Sequence, residues 1–176
     1  MTKLFAILAL LLVLGTSISL NEDHEGCGGR RPYTRWLKLT FNYAARQRVA
    51  LCSSTFSVEW NGKTVFYVVP KDYRVHSVSK WVRARVGSNL IDFIAEGKSD
   101  GVGVTLDNIE LIRTFSRNDK EYFIENGGFE KGHSLGKGWK VFSGNFKGWE
   151  ECKVEVGYGK TYNNNWKVGT HVAELD

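Results

Sequence analysis

The chain has 176 residues, with 24 Lys and Arg against 19 Asp and Glu and 42% hydrophobic side chains. That length supports one sizeable core. A positive balance points first to nucleic acid, but the basic residues are scattered, with only Arg30-Arg31 and Arg83/Arg85 close together. No helix-turn-helix, zinc-finger or aromatic RNA-binding pattern accompanies them, so nucleic acid is not the expected partner.

The first 20 residues, MTKLFAILALLLVLGTSISL, place one Lys before an apolar run, Leu4 to Leu14, and small residues after it. Residues 1–19 therefore read as a secretory signal peptide cleaved near Ser19. As a membrane anchor the run is short of the roughly 20 residues a bilayer core needs, and no later segment could span one. The chain is expected outside the cell or at the cell surface, with no membrane span after cleavage. Loss of Lys3 leaves 23 basic and 19 acidic residues, a net charge of +4. Residues 20–34 are polar and glycine-rich and read as a flexible arm. Cys27, Cys52 and Cys152 would meet an oxidising compartment. Three is odd, and spacing does not fix connectivity; a Cys52–Cys152 bridge would staple the front of the chain to its back and leave Cys27 over.

From residue 35 the pattern is strand-like. Leu37, Leu39, Phe41 and Tyr43 alternate with Lys38, Thr40 and Asn42. Phe56, Val58 and Trp60 run into Asn61-Gly62, a two-residue hairpin signal, followed by Val65, Tyr67 and Val69. Val78, Val82, Ala84 and Val86 form a rail with Trp81, Arg83 and Arg85 on its reverse face. Gly87-Ser88-Asn89 reads as a turn before Ile91, Phe93 and Ala95. In GVGVTLDNIELI, Val102, Val104 and Leu106 share one parity, whereas Ile109 and Leu111 take the other, so the strand is expected to bulge or bend at Asp107-Asn108. Short strands, many turns and no helical period predict an all-β antiparallel β-sandwich. Residues 116–123 read as a linker. Residues 124–176 carry NGGFE, Trp139, Trp149, the strand Lys153–Val156 and the loop GYGKTYNNNWKVG, too little for a core of their own.

NGGFE followed by tryptophans resembles the first strand of galactose-binding-like jelly-roll domains, which include many carbohydrate-binding modules. GKSDGVGVTLDNIEL resembles their last strand, and LTFNYAAR and FSVEWNGKTV their middle strands. The resemblance implies two packed antiparallel sheets and a non-catalytic module that binds glycans, glycoproteins or cell surfaces. The order departs from the family: residues 35–115 match its C-terminal half and 124–176 its N-terminal half. Closure within one chain as a circular permutant is the favoured expectation. A piece of a tandem array, or completion by a neighbouring chain in an oligomer or larger assembly, are the alternatives. In such domains an acidic residue from the first strand and one from the last often hold a structural calcium ion. The matching positions are Glu130 and Asp107, with Asn126 and nearby carbonyls able to add oxygens. Asp107 and Asn108 could instead only satisfy backbone groups at a bulge, with Glu130 solvated.

Sugar binding needs exposed rings and amides. Tyr158, Tyr162 and Trp166, beside three asparagines, are the expected carbohydrate-binding residues, with Asp100 in the KSDG loop a further candidate; Tyr162 and Trp166 are also readable as core or loop-packing residues. The four histidines lie in no nucleophile or metalloprotease motif, so no enzyme is expected. Two functions remain: a secreted carbohydrate- or cell-surface-binding module, or a structural or adhesive subunit of an extracellular assembly.

Overall fold

The structure, a computed structural model, describes residues 13–20, 35–98, 101–116, 119–163, 165–166 and 171–175. Among them lie eleven strands: β1 (Val13–Leu20), β2 (Arg35–Ala45), β3 (Phe56–Trp60), β4 (Lys63–Val68), β5 (His76–Ala84), β6 (Gly87–Ala95), β7 (Val104–Ser116), β8 (Asp119–Tyr122), β9 (Trp139–Phe146), β10 (Trp149–Tyr158) and β11 (His171–Leu175). A single-turn helix, α1 (Gly159–Tyr162), follows β10. Strands β4-β3-β6-β1 form one antiparallel sheet and β10-β11-β7-β2-β5 the other, with β8 on β7 and β9 on β10. The two ladders meet only at Gly15↔Glu150, between β1 and β10. The result is an all-β antiparallel sandwich consistent with a jelly roll.

Alternation explains the layers. Leu37, Leu39, Phe41 and Tyr43 point from β2 into the space between the sheets and are buried. Facing them are Phe56 and Val58 of β3, and Ile91 and Phe93 of β6. Phe41 meets Phe56, Phe66 and Phe93 edge-on, with ring centroids 6.2, 5.4 and 5.4 Å apart, the arrangement that aromatic quadrupoles favour. Asn61 and Gly62 take the positive φ values, 52° and 73°, that the β3–β4 hairpin requires. Asn89 is not a plain turn residue. It is buried, accepts the Arg85 N–H at 3.0 Å, donates to Arg85 O at 2.8 Å and receives the Asn61 amide at 3.1 Å. It therefore ties the turn before β6 to the β3–β4 hairpin.

Two segments take strand form, and one expected bridge is absent. Residues 116–123 hold β8, which folds back on β7 as a hairpin, with Ile112 opposite Tyr122. Val13–Leu20, inside the segment read as signal, lies as a strand between β6 and β10. Cys52 is exposed and its thiol is free, so the Cys52–Cys152 bridge is not formed; Cys27 lies outside the described residues. The surrounding strands do the stapling instead.

The joint between the front and back of the chain is β7. Its pairing with β2 slips by one residue between Thr40↔Glu110 and Asn42↔Asp107. Asn108 takes φ 50° there, and Asp107 Oδ1 accepts the Asn108 N–H at 2.7 Å. This bulge is the physical cause of the parity switch: one extra residue returns Ile109 and Leu111 to the core face. The NGGFE segment docks against it. Ile109 N donates to Gly127 O at 2.9 Å, and a Cβ on Gly127 would fall 1.8 Å from Ile109 O. No side chain fits in that contact. Gly128 is different, because a Cβ there would lie 3.6 Å from Asp107 Oδ1, an ordinary contact. Phe129 is then carried into the core, stacked on Trp149 at 5.6 Å. Gly127→Ala is accordingly expected to fall in the exceptional class of destabilisation, above about 4 kcal/mol. Gly128→Ala should cost about 1 kcal/mol or less. Urea unfolding of the two variants beside the wild type checks the contrast; equal losses would refute the backbone-contact account.

Candidate functional site

The second sheet has an outer face whose two halves differ. On one half, Glu155, Glu174, Thr105 and Ala44 stand side by side on β10, β11, β7 and β2. The loop after β10 folds over this row. Tyr162 and Trp166, 2% and 4% exposed, pack with Ala44 and Val172 into a small second core. Trp166 Nε1 donates to Thr105 Oγ1 at 3.1 Å, and Tyr162 Oη donates to Glu155 Oε1 at 2.8 Å. Asn163 Nδ2 donates to Ala45 O and Tyr73 O at 2.9 and 2.6 Å. The glycine- and asparagine-rich loop is thus ordered by packing and amide bonds onto the sheet. Of the two readings of Tyr162 and Trp166, this arrangement is the packing one: both side chains are buried and offer no open ring face to a sugar. Tyr158 is half-buried at the end of β10, and Asp100 lies outside the described residues.

Beneath the loop is a charged cluster. Glu174 accepts Arg46 Nη1 at 2.8 and 3.1 Å and the Gly103 N–H at 3.0 Å. Burial dominates its protonation, ahead of the opposing Gly103 and Arg46 contacts, and with help from Glu155 it lifts the carboxyl from an ordinary 4.5 to about 7. Burial, followed by the bond to Glu155, also raises the Tyr162 phenol.

Gly128 lies between the two acids: a Cβ on it would stand 3.6 Å from Asp107 Oδ1 and 4.0 Å from Glu130 Cγ. Their oxygens are engaged by the protein itself. Glu130 accepts the His171 backbone N–H at 2.6 Å and pairs with His171 Nδ1 at 2.8 Å. His171 Nε2 lies 2.8 Å from Gly136 O, so each ring nitrogen has a protein oxygen beside it. Asn126 accepts the Lys131 N–H at 2.9 Å and donates to Lys131 O and Lys147 O. Among the described residues no group of three or more His, Cys, Asp or Glu side chains is placed to hold a metal ion. As arranged, the three do not fit a calcium cage: Glu130 ties the NGGFE segment to the start of β11, Asn126 bonds Lys131 and Lys147, and Asp107 accepts the Asn108 N–H at the bulge.

The other half of the outer face is uncovered. Trp36 on β2 stands opposite Arg83 on β5, and Lys38 opposite Trp81. Lys38 also faces Ile112 on β7, which faces Tyr122 on β8. Pairing partners share a face, so Trp36, Trp81 and Tyr122 all project outward. They are 60%, 60% and 58% exposed. Trp36 and Trp81 are diagonal neighbours, about 7–8 Å apart in an antiparallel pair. Further along the same face the pairs are Thr40↔Ser79 and Asn42↔Ser77, with Thr40 donating to Glu110 at 3.5 Å and Ser77 to Asn42 at 2.8 Å. The strip therefore grades from flat rings to hydroxyls, an amide and a carboxylate. Its signal was present in the sequence: Trp36 and Trp81 fall on the polar parity of their strands, where a core residue has no place.

No family model matches the sequence, and neither a curated protein nor a solved structure matches the chain.

The Glu174 environment generates a pH dependence. A carboxyl whose folded pKa is raised binds its proton more tightly folded than unfolded, so stability falls as pH rises from about 4.5 to about 7. Across that span the loss is about 3 kcal/mol. Melting temperature is expected to be higher at pH 5 than at pH 8, and Glu174→Gln should flatten that slope. An unchanged slope in the variant would assign the dependence elsewhere.

Proposed function

We propose that this chain is a secreted, non-catalytic carbohydrate-binding β-sandwich of the galactose-binding-like jelly-roll type, holding glycan on the outward face of β2 and β5. One observation carries the reading: two tryptophans and a tyrosine stand exposed on one rigid sheet face beside hydroxyl, amide and carboxylate groups. Exposed aromatic surface is costly in water and is a mark of a binding surface. Flat rings cover the C–H faces of sugars, and the neighbouring polar groups bond their hydroxyls in both directions. Strands hold the rings at fixed spacing, which lowers the ordering cost of binding. A second reading, a structural or adhesive subunit of an extracellular assembly, is favoured by the interior position of β1, which the sequence marks for removal.

Glycan-array retention followed by affinity measurement tests the first reading. Trp36→Ala or Trp81→Ala should each weaken binding by about 2 kcal/mol, roughly 30-fold, with stability within about 0.5 kcal/mol of wild type. Trp166→Ala should do the reverse, costing about 3–5 kcal/mol of folding while the folded fraction keeps its affinity. A folded wild-type protein that retains no glycan removes this reading.

Calcium is expected to leave the melting temperature unchanged relative to chelator, because Glu130 is held by His171. A calcium-dependent rise that Asp107→Asn abolishes would mean that Glu130 leaves His171 for the ion.

A further inference from the structure

We infer that removal of the signal segment opens a slot between β6 and β10, and that this slot receives an extended strand from a partner polypeptide in place of β1. The inference rests on the reading of the chain as exported. Strand β1 pairs along its whole length with β6, from Val13↔Ile94 to Leu20↔Gly87. Thr16, Ile18 and Leu20 are buried at a period of two. Cleavage near Ser19 would cut between the last two residues of this strand and take Thr16 and Ile18 out of the fold. Strand β6 would keep β3 on one side and lose its partner on the other. The freed edge faces an interior lined by Ile91 and Phe93, both fully buried. A row of backbone groups there, without partners, is unstable until another strand supplies them.

The chain's own occupant defines what fits. It runs antiparallel to β6, presents Thr, Ile and Leu at alternate positions, and has the small residues Gly15, Ser17 and Ser19 between them. Residues 21–34 cannot take its place, because NEDHEGCGGRRPYT lacks that alternation and contains Pro32. The described apolar strands are already committed to their own ladders. The occupant is therefore a segment of a different polypeptide, with aliphatic or threonine side chains alternating with small residues, added by main-chain pairing.

The test expresses the full chain with its own signal in a secretory eukaryotic cell, sequences the N-terminus of the product, and measures amide exchange in β6. A synthetic peptide of residues 13–20 and a permuted version of it are the probes. The expected product starts at or near Leu20 and exchanges rapidly those Gly87–Ile94 amides that face the vacated side of β6. Peptide 13–20 at 100 times its dissociation constant should suppress opening about 100-fold, and the permuted peptide should not. Three results overturn the inference: residues 13–20 retained, in the medium or in the cell; a product lacking them that protects β6 unaided; or no response to the peptide. Glycan affinity on the same protein, with Trp36→Ala as control, reports separately on the aromatic face.

Discussion

The contact between Gly127 and the carbonyl of Ile109 is the constraint on which the rest of the architecture depends. It sits at the β7 bulge, where β7 has slipped one residue against β2. Because two backbones touch there, the back of the chain enters at one place and one angle. Phe129 then reaches the core, Asn126 knits its own loop to Lys131 and Lys147, and Glu130 meets the start of β11. The bulge and the glycine are a single device. Without the extra residue Ile109 would point to solvent, and without the missing side chain the segment could not approach.

The outer face of the second sheet is divided by the loop after β10. Where the loop lies, polar residues are drawn inside and must be satisfied. Glu174 is held by Arg46 and Gly103, Thr105 by Ala44 and Trp166, and Glu155 by Tyr162. Where the loop does not reach, aromatic residues remain in water. Polar groups under cover and rings in the open invert the usual assignment, and each half is understood only by the covering it has or lacks.

Much of the fold was legible from the period-two alternation of apolar residues in β2, β3 and β6, and in β7 on either side of its bulge. The hairpin at Asn61-Gly62 and the parity switch at Asp107-Asn108 were legible for the same reason: each is a local backbone requirement written in residue type. The site was less so. Tyr162 and Trp166 stood among asparagines in a loop, a composition shared by a sugar site and by a loop that folds onto a sheet. What separates the two is whether a partner surface waits below, and that surface comes from β2, β7 and β11, distant in sequence. Trp36 and Trp81 carried a local signal, an aromatic on the polar parity, but only the β2–β5 register makes them neighbours. The place of β1 was hidden by its export pattern, since Gly15, Ser17 and Ser19, which alternate with Thr16, Ile18 and Leu20, read first as the small residues of a cleavage site.

The order of strands around β7 also fixes how the molecule answers a pull. Both β2 and β11 run antiparallel to β7, so they are parallel to each other. Tension applied between Arg35 and Leu175 acts at opposite ends of the sheet, along the strand axes. The ladder bonds lie across that direction, so they are loaded in shear together instead of peeling one at a time. Under such a load this sheet would yield abruptly, at a rate set by its unfolding barrier, while β3 and β4 in the opposite sheet would carry almost none of the force.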